Sequence, residues 1–367
     1  MNGAPKIEAA EVWTLTQDRL TPFSSANETV QRETHPIVAL RAGGLTGWGE
    51  APVPLAPLYL PENVYSVLDA LRHHLIPRLM GTVLDHPDSA AAAMAPVKGN
   101  LFAKHALETA ALDLIAQHRG TSMAKLLGAT ARHVPAGATF GLPERAEDLF
   151  DQIDEALALG HSRVKVKIAP GRDRTILAPL RKRYPDLALT ADGNSAYGLA
   201  DAEDLAGLDA FNLTLLEQPL GWDDFVDHAV LQARMRTPVA LDESLQSEND
   251  LKTALALKSC RAVVLKPAHV GGPWQARKLH DLARAAGLAV MVGGMHDFCI
   301  ARAANIAVAA LPGCTVPGDV GGTDRYYATD LVDPPLRMTD EGMPVPGAVS
   351  VDPRRLKVAV SQFSLCA

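Results

Sequence analysis

Val164-Lys165-Val166-Lys167, Leu187-Ala188-Leu189-Thr190-Ala191-Asp192, Leu213-Thr214-Leu215-Leu216-Glu217, Val239-Ala240-Leu241-Asp242-Glu243 and Ala262-Val263-Val264-Leu265-Lys266 are five short apolar runs, each ending in a charged residue. Asp192, Glu217 and Asp242 follow one another at steps of 25 residues. That step is the length of one strand, one helix and two loops. The array therefore reads as Lys, Asp, Glu, Asp and Lys at the ends of successive parallel strands. Charges there are costly in a core but expected at the mouth of a barrel.

Working outward, strands are expected near 136–141, 163–168, 187–192, 213–217, 239–243, 262–266 and 288–292, with a weak eighth near 314–317. Helical stripes separate them. Residues 145–159 stop at Gly160, Ser247 and Asp250 resemble a capping box, and 274–286 stop at Gly287. Seven or eight such units imply a closed parallel barrel of the (β/α)7β kind. An open doubly wound sheet is the alternative. It usually brings a Gly-rich phosphate turn, and no GxGxxG is present.

The first part of the chain has a different texture. Val12-Trp13-Thr14-Leu15 and Ile37-Val38-Ala39-Leu40 read as strands, the latter turning at Gly43-Gly44 into Thr46-Gly47-Trp48-Gly49-Glu50. Residues 20–33 are polar and show no clear element. Residues 51–61 carry four prolines and read as an irregular loop. Helices are expected at 62–79 and 101–118, the second with Leu107, Ala110, Ala111 and Leu114 at helical spacing. The expected organisation is an α+β domain over 1–130, completed by the tail 323–367, and a barrel over 131–322. At 367 residues the chain is too long for one ordinary core.

Composition limits the function classes. Hydrophobic content of 47% and charged content of 21% fit a soluble globular protein. A net charge of −7 without a basic cluster argues against nucleic acid as a partner. Cys260, Cys299, Cys314 and Cys366 form no CxxC pair and suit a reducing cytoplasm. Residues 1–8 lack a signal-peptide core, and no uninterrupted apolar segment is long enough to span a membrane. A cytoplasmic enzyme acting on a small molecule is the expected class.

The array then suggests its chemistry. Residues two apart on a strand share a face, so Lys165 and Lys167 both point into the barrel. Their mutual repulsion and partial burial should lower their pKa values and make a base available near neutrality. An isolated KxK is more often a pair of surface lysines; the valine alternation and the downstream acids reverse that. Asp192, Glu217 and Asp242 converging in one cavity call for a cation. All-oxygen donors favour Mg²⁺ above Mn²⁺ or Ca²⁺, and the absence of HExxH or a His/Cys set argues against zinc. A single Asp or Glu of this kind is usually a cap or a surface charge; three at equal spacing are not. Asn194 and Glu243 lie close enough to join or support the set, Glu243 only if its strand has already ended. Lys266 falls on the sixth strand and Lys167 on the second, so they approach a ligand from opposite sides. A carboxylate between them would have its α-carbon flanked by two amines. One lysine can remove the α-proton while the cation and the other lysine stabilise the enediolate.

With these motifs in order, the chain resembles the enolase superfamily in its muconate-lactonizing-enzyme subgroup; Lys base plus Mg²⁺ is a pattern the superfamily is known for. The matching pieces are Lys165-Val166-Lys167, Ala191-Asp192-Gly193-Asn194, Leu216-Glu217-Gln218-Pro219-Leu220, Leu241-Asp242-Glu243-Ser244 and Leu265-Lys266-Pro267. Gly293-Gly294-Met295, Arg302-Ala303-Ala304-Asn305, Pro317-Gly318-Asp319 and Asp324-Arg325-Tyr326-Tyr327 further resemble the o-succinylbenzoate synthase / N-succinylamino acid racemase group. The resemblance implies that Lys167 and Lys266 are the acid/base pair, that Asp192, Glu217 and Asp242 hold Mg²⁺ (Mn²⁺ substituting), and that Lys165 tunes Lys167. It makes 20–33 and 51–61 the substrate lid, with Phe23, Tyr59, Gly294, Met295 and Asp297 as substrate contacts. Phe23 and Tyr59 could equally be packing anchors. It also implies a homo-oligomer. The activities implied are dehydration to o-succinylbenzoate in menaquinone biosynthesis, or N-acylamino acid racemisation. Dipeptide epimerisation, cycloisomerisation and a catalytically silent carboxylate-binding barrel remain open. One stretch departs from the group's pattern: His296-Asp297-Phe298-Cys299 stands where an acidic residue two positions after Met295 is usually Glu, followed by small residues.

Overall fold

The β/α alternation builds seven parallel strands that lie side by side in sequence order: Gly137–Phe140, Arg163–Lys167, Leu189–Asp192, Leu215–Glu217, Val239–Leu241, Ala262–Leu265 and Ala289–Val292. The computed structural model describes residues 3–25, 28–332, 335–352 and 354–367. Val164 and Val166 face outward into a core with Ile176, Leu177 and Leu180 of the next helix, which leaves the lysines between them to the interior. The ladder pairs Lys167 with Asp192 and Asp192 with Glu217, so these charged ends are level. The eighth strand expected at 314–317 is not a ladder. It is reduced to two isolated parallel bridges, Met291 to Val316 and Gly318 to Ala136, which join the last strand to the first. Pro317 has no N–H to donate there, and Gly318 lies so close to Val292 that a Cβ would sit 2.6 Å from its carbonyl oxygen.

A second, antiparallel sheet has the order Val360–Cys366, Ala9–Ser24, Thr29–Ala42, Leu45–Glu50. Residues 20–24 and 29–33 are therefore strand, and residues 26 and 27 of the stretch lie outside the described residues. The first two strands run on as a ribbon, in register to Asp18 opposite Arg32, and pair again at Phe23–Val30 and Ser24–Thr29 after a break. The ribbon extends beyond the packed part of the sheet, so it has no apolar alternation to read. Helix Leu101–His118 lies on this sheet. The close approach depends on Gly47 and Gly49, where a Cβ would come within 2.1 and 1.8 Å of the Ala110 and Ala106 carbonyl oxygens. The expected helix 62–79 starts at Val64 behind an Asn63 cap and contains a π-turn, Leu71–Leu75. Residues 145–159 open as a 3₁₀ turn before helix Phe150–Ala158. Ser247 caps its helix through Asp250 N, but the Asp250 carboxylate accepts from Gln246 N, one residue earlier than a capping box requires. No helix among the described residues is long and apolar enough to cross a membrane.

Acids from the antiparallel sheet and its helix close the join to the barrel. Glu50 accepts from Phe298 N (2.7 Å) and Ala301 N (2.9 Å) at the start of helix Cys299–Ala309. Glu108 accepts from Trp274 N (2.9 Å) and Gln275 Nε2 (2.7 Å) at the start of helix Pro273–Ala285. Both carboxyl groups sit at helix N-termini, where backbone N–H groups need acceptors. Burial nevertheless pushes the Glu108 carboxyl up to about 7. An acid whose pKa is raised on folding keeps its proton where the unfolded chain has lost it. Its contribution is fully present below the unfolded value of 4.5 and is lost as pH rises through 7. Glu108→Gln should therefore gain stability relative to wild type between pH 5 and pH 8, by roughly 2 kcal/mol at the upper end. Urea unfolding across that range would show this, and a difference that does not vary with pH would refute it.

Candidate active site

Each strand end is turned by the residues that follow it. Asn194, Ser195 and Gln218 have φ of +40°, +62° and +31°, the left-handed region in which a strand cannot continue. The chain is thus broken just after Asp192 and Glu217. The Gln218 side chain ties two of the turns together, accepting from Asp242 N (2.9 Å) and donating to Ser244 Oγ (2.7 Å). The strand before Asp242 ends at Leu241, so Glu243 does not alternate to the far face. Its Oε1 accepts from Asn194 Nδ2 at 3.0 Å.

Acids and lysines interleave rather than segregate. Lys165 Nζ donates to Glu217 Oε1 and Oε2 (2.8 and 3.0 Å), lies 3.4 Å from Asp192 Oδ2 and is 2.5 Å from Asp319 Oδ2. Lys167 Nζ donates to Asp192 Oδ2 at 2.7 Å. Lys266 Nζ lies 2.7 Å from Asp242 Oδ2 and donates to Tyr59 Oη at 2.8 Å. The expected lowering of lysine pKa by mutual repulsion does not hold for Lys165. Burial acts in that direction, but Asp319, Glu217 and Asp192 outweigh it and hold the ammonium charged. Lys266 is likewise raised, against burial, by Asp242 and Glu243. Burial and the neighbouring Asp192 push Glu217 well up.

The donor set suits a hard cation in kind. Asp192, Glu217 and Asp242 are at most 1% exposed, sit on consecutive strands, and offer only oxygen. Glu243 Oε2 is buried without a hydrogen-bond partner, an acceptor that a cation would satisfy. With the lysines drawing the acids toward themselves, no group of three His, Cys, Asp or Glu among the described residues is gathered in ligating geometry. Asp242 stands between Lys266, at its Oδ2, and His269, whose Nδ1 is 3.3 Å from Oδ1.

Above the acids lies a cavity of about 470 Å³. Lys165, Lys167, Lys266 and Asn194 line it, with the three acids behind them. Its walls are the hairpin ribbon and the loop 51–61, and Phe23, Tyr59, Gly294 and Met295 all face it. Asp297 does not. It is fully buried, 3.2 Å from Arg302 and accepting from Asn305 Nδ2 (2.9 Å) and Met295 N (3.2 Å). Its environment is structural, and the expected substrate contact is not seen. The shorter Asp side chain reaches its own turn and the following helix instead.

Asp319 was not singled out for a role in the sequence. Its Oδ1 accepts from Thr139 Oγ1 (2.8 Å) and from Arg163, and its Oδ2 meets Lys165. Arg19, Glu33, His35 and His296 also line the cavity without having been assigned a role. The Pro317-Gly318-Asp319 motif was the one signal for Asp319. Glu33 ends the stretch 20–33 that shows no clear element in the sequence, and Arg19 immediately precedes it.

Two family profiles match. Residues 148–352 match the Enolase C-terminal domain-like family, and residues 9–128 match the Mandelate racemase / muconate lactonizing enzyme N-terminal domain. The chain belongs to the enolase superfamily. Among curated superfamily members, the o-succinylbenzoate synthase of Bacillus subtilis (strain 168) is 39% identical, over 91% of this chain and 90% of its own. The N-succinylamino acid racemase of Thermus thermophilus is 37% identical, over 94% of each. A solved enolase-superfamily structure from Listeria innocua superposes with a TM-score of 0.94 at 32% identity, covering 98% of each chain. Enzymes of this superfamily generally depend on a divalent metal ion.

Proposed function

We propose that the protein removes the proton α to a carboxylate, acting as an o-succinylbenzoate synthase with N-acylamino acid racemase activity as a second capability. The observation that carries this reading is the pair of lysines, Lys167 and Lys266, facing one cavity from the second and sixth strands with three buried acids on the strand ends between. The relatives named for these two activities support it. Residues 1–130 with 323–367 serve as the cap and 131–322 as the catalytic barrel. The four cysteines are unpaired, which suits the cytoplasm.

Asp192, Glu217 and Asp242 would hold Mg²⁺, or Mn²⁺ in its place, with Glu243 and Asn194 supporting them. When bound there, such an ion would supply positive charge that favours loss of the α-proton. Lys167 Nζ takes that proton. In dehydration it returns it to the departing hydroxide on the same face, while Lys266, held between Tyr59 and Asp242, stays a cation that offsets the charge on the enediolate. In racemisation Lys266, as an ammonium, gives a proton of its own to the opposite face and Lys167 keeps the one it removed. Lys165, locked among acids, fixes Asp192 and Glu217 beside Lys167. The ribbon and the loop 51–61 exclude water.

The test follows α-deuterium exchange of N-succinylamino acids in D₂O with Mg²⁺, together with loss of the diene absorbance of the synthase substrate. Both should occur, and both should stop with a chelator. Inactivity in both assays would remove this reading. Lys266→Arg should abolish racemisation and retain part of the dehydration; equal loss of the two would refute the division of labour between the lysines. Racemisation much faster than dehydration would make the racemase the main role.

A further inference from the structure

At the ribbon end of the cavity lies a buried cation with almost nothing to bond. Arg19 is 5% exposed and lines the cavity. A guanidinium carries five N–H donors. Among the described residues, this one makes a single long hydrogen bond, from Nε to the Thr21 carbonyl at 3.3 Å, and NH1 is buried with no partner. The carboxylate nearest to it, Glu33, is 4.0 Å from NH1, beyond hydrogen-bonding reach. Glu33 is engaged elsewhere: Oε1 with His296 Nδ1, and Oε2 with His35 Nε2 at 3.9 Å. Glu28, another acid of the ribbon lining the cavity, is pushed toward its neutral form by burial and by Glu33. The rings of Phe23 and Tyr326, each 5.4 Å from the guanidinium carbon, hold Arg19 in place. Phe23 also connects this end to the reacting end, with its ring 5.9 Å from Lys167 Nζ.

Buried donors this poorly satisfied mark a place where a ligand completes the structure. We infer that Arg19 is the receptor for a second, distal carboxylate of the substrate, so that the cavity takes dicarboxylates whose α-carbon lies between Lys167 and Lys266. A guanidinium offers a carboxylate two parallel N–H donors, which fixes the far end in orientation as well as in place. The unusual His296 acts here as a positioning residue: it occupies Glu33 and leaves Arg19 available. The inference rests on the proposed function for which end of the substrate reacts, and adds what holds the other end.

Calorimetric titration of the full-length, Mg²⁺-loaded protein tests it with N-succinylglycine, which has the distal carboxylate, and N-acetylglycine, which does not. Wild type should bind the succinyl compound more tightly, and Arg19→Gln should reduce the ratio of the two affinities by about tenfold or more. Arg19→Lys keeps the charge without the fork and should fall between them; it decides the matter if the Gln variant does not fold. Equal binding of the two compounds by wild type, or an unchanged ratio in the variants, overturns the inference. α-Deuterium exchange on the same samples separates the two readings. A ratio that responds as expected without exchange removes the proposed reaction and leaves the distal site standing, and exchange with an unresponsive ratio does the reverse.

Discussion

Lys167→Ala should lower the rate of α-deuterium exchange by about 10³-fold or more, with little change in KM. The argument is one of supply. On the side of the cavity reached by the second strand, Lys167 makes one ion pair, to Asp192. Lys165 is two residues away on the same face but is enclosed by Glu217, Asp192 and Asp319. It cannot turn toward a substrate without giving up its contacts with all three, and Glu217 and Asp192 would then lose their lysine. Lys266 reaches the ligand from across the barrel and touches the wrong face of the α-carbon. With Lys167 gone, no side chain on its face can replace it. The fold should tolerate the change, because Asp192 keeps Lys165 at 3.4 Å. A kcat that falls while the unfolding midpoint moves little is therefore the expected pattern. Retention of more than about a tenth of the wild-type rate would show that another base operates, and Lys167 would then be a structural partner of Asp192.

The strand ends were legible because a charge that terminates a buried apolar run has few structural uses, and a fixed step identifies the repeating unit that carries it. Their pairing was less so. The sequence shows Lys165 and Lys167 as neighbours and suggests repulsion. In the sheet, adjacent strands lie about 4.8 Å apart, and the ladder sets Lys167 level with Asp192, so each lysine finds an acid closer than it finds the other lysine. The ribbon was missed for a different reason. Strand periodicity records burial on one face, and a two-stranded extension over a cavity buries little. Asp297 shows the limit of reasoning by pattern: an acid at the expected position, Asp where Glu is expected, is bonded to Arg302 and Asn305 and does not line the cavity. The motif Pro317-Gly318-Asp319 marks Asp319, but its partners are hidden for lack of locality. Thr139 and Arg163 lie 180 and 156 residues away in the chain, and only closure of the ring brings them together.

That closure makes Asp319→Ala the change expected to cost most in stability, about 3–5 kcal/mol, since it removes one partner from a buried charge cluster. Arg163 is fully buried and, among the described residues, keeps only the Pro317 carbonyl (2.7 Å) as a side-chain partner when Asp319 is lost. Lys165 loses the nearest of its three acids. The segment 316–318, which bridges the first and last strands through single pairs, loses the tie to Thr139 that runs through the Asp319 carboxylate and keeps Arg163 only at the Pro317 carbonyl. Burial works against ionisation of Asp319, but Lys165 and Arg163 overcome it and hold the carboxyl well below the usual range. An acid lowered on folding contributes stability above its unfolded pKa and loses it on acidification. Wild type should therefore exceed Asp319→Asn most clearly at neutral pH, and the gap should narrow as pH falls below about 4. Urea unfolding of both variants at pH 7 and in acid would measure these differences. An Ala variant within about 1 kcal/mol of wild type at pH 7 would mean that Arg163 and Lys165 find other partners, and that ring closure does not depend on this carboxylate.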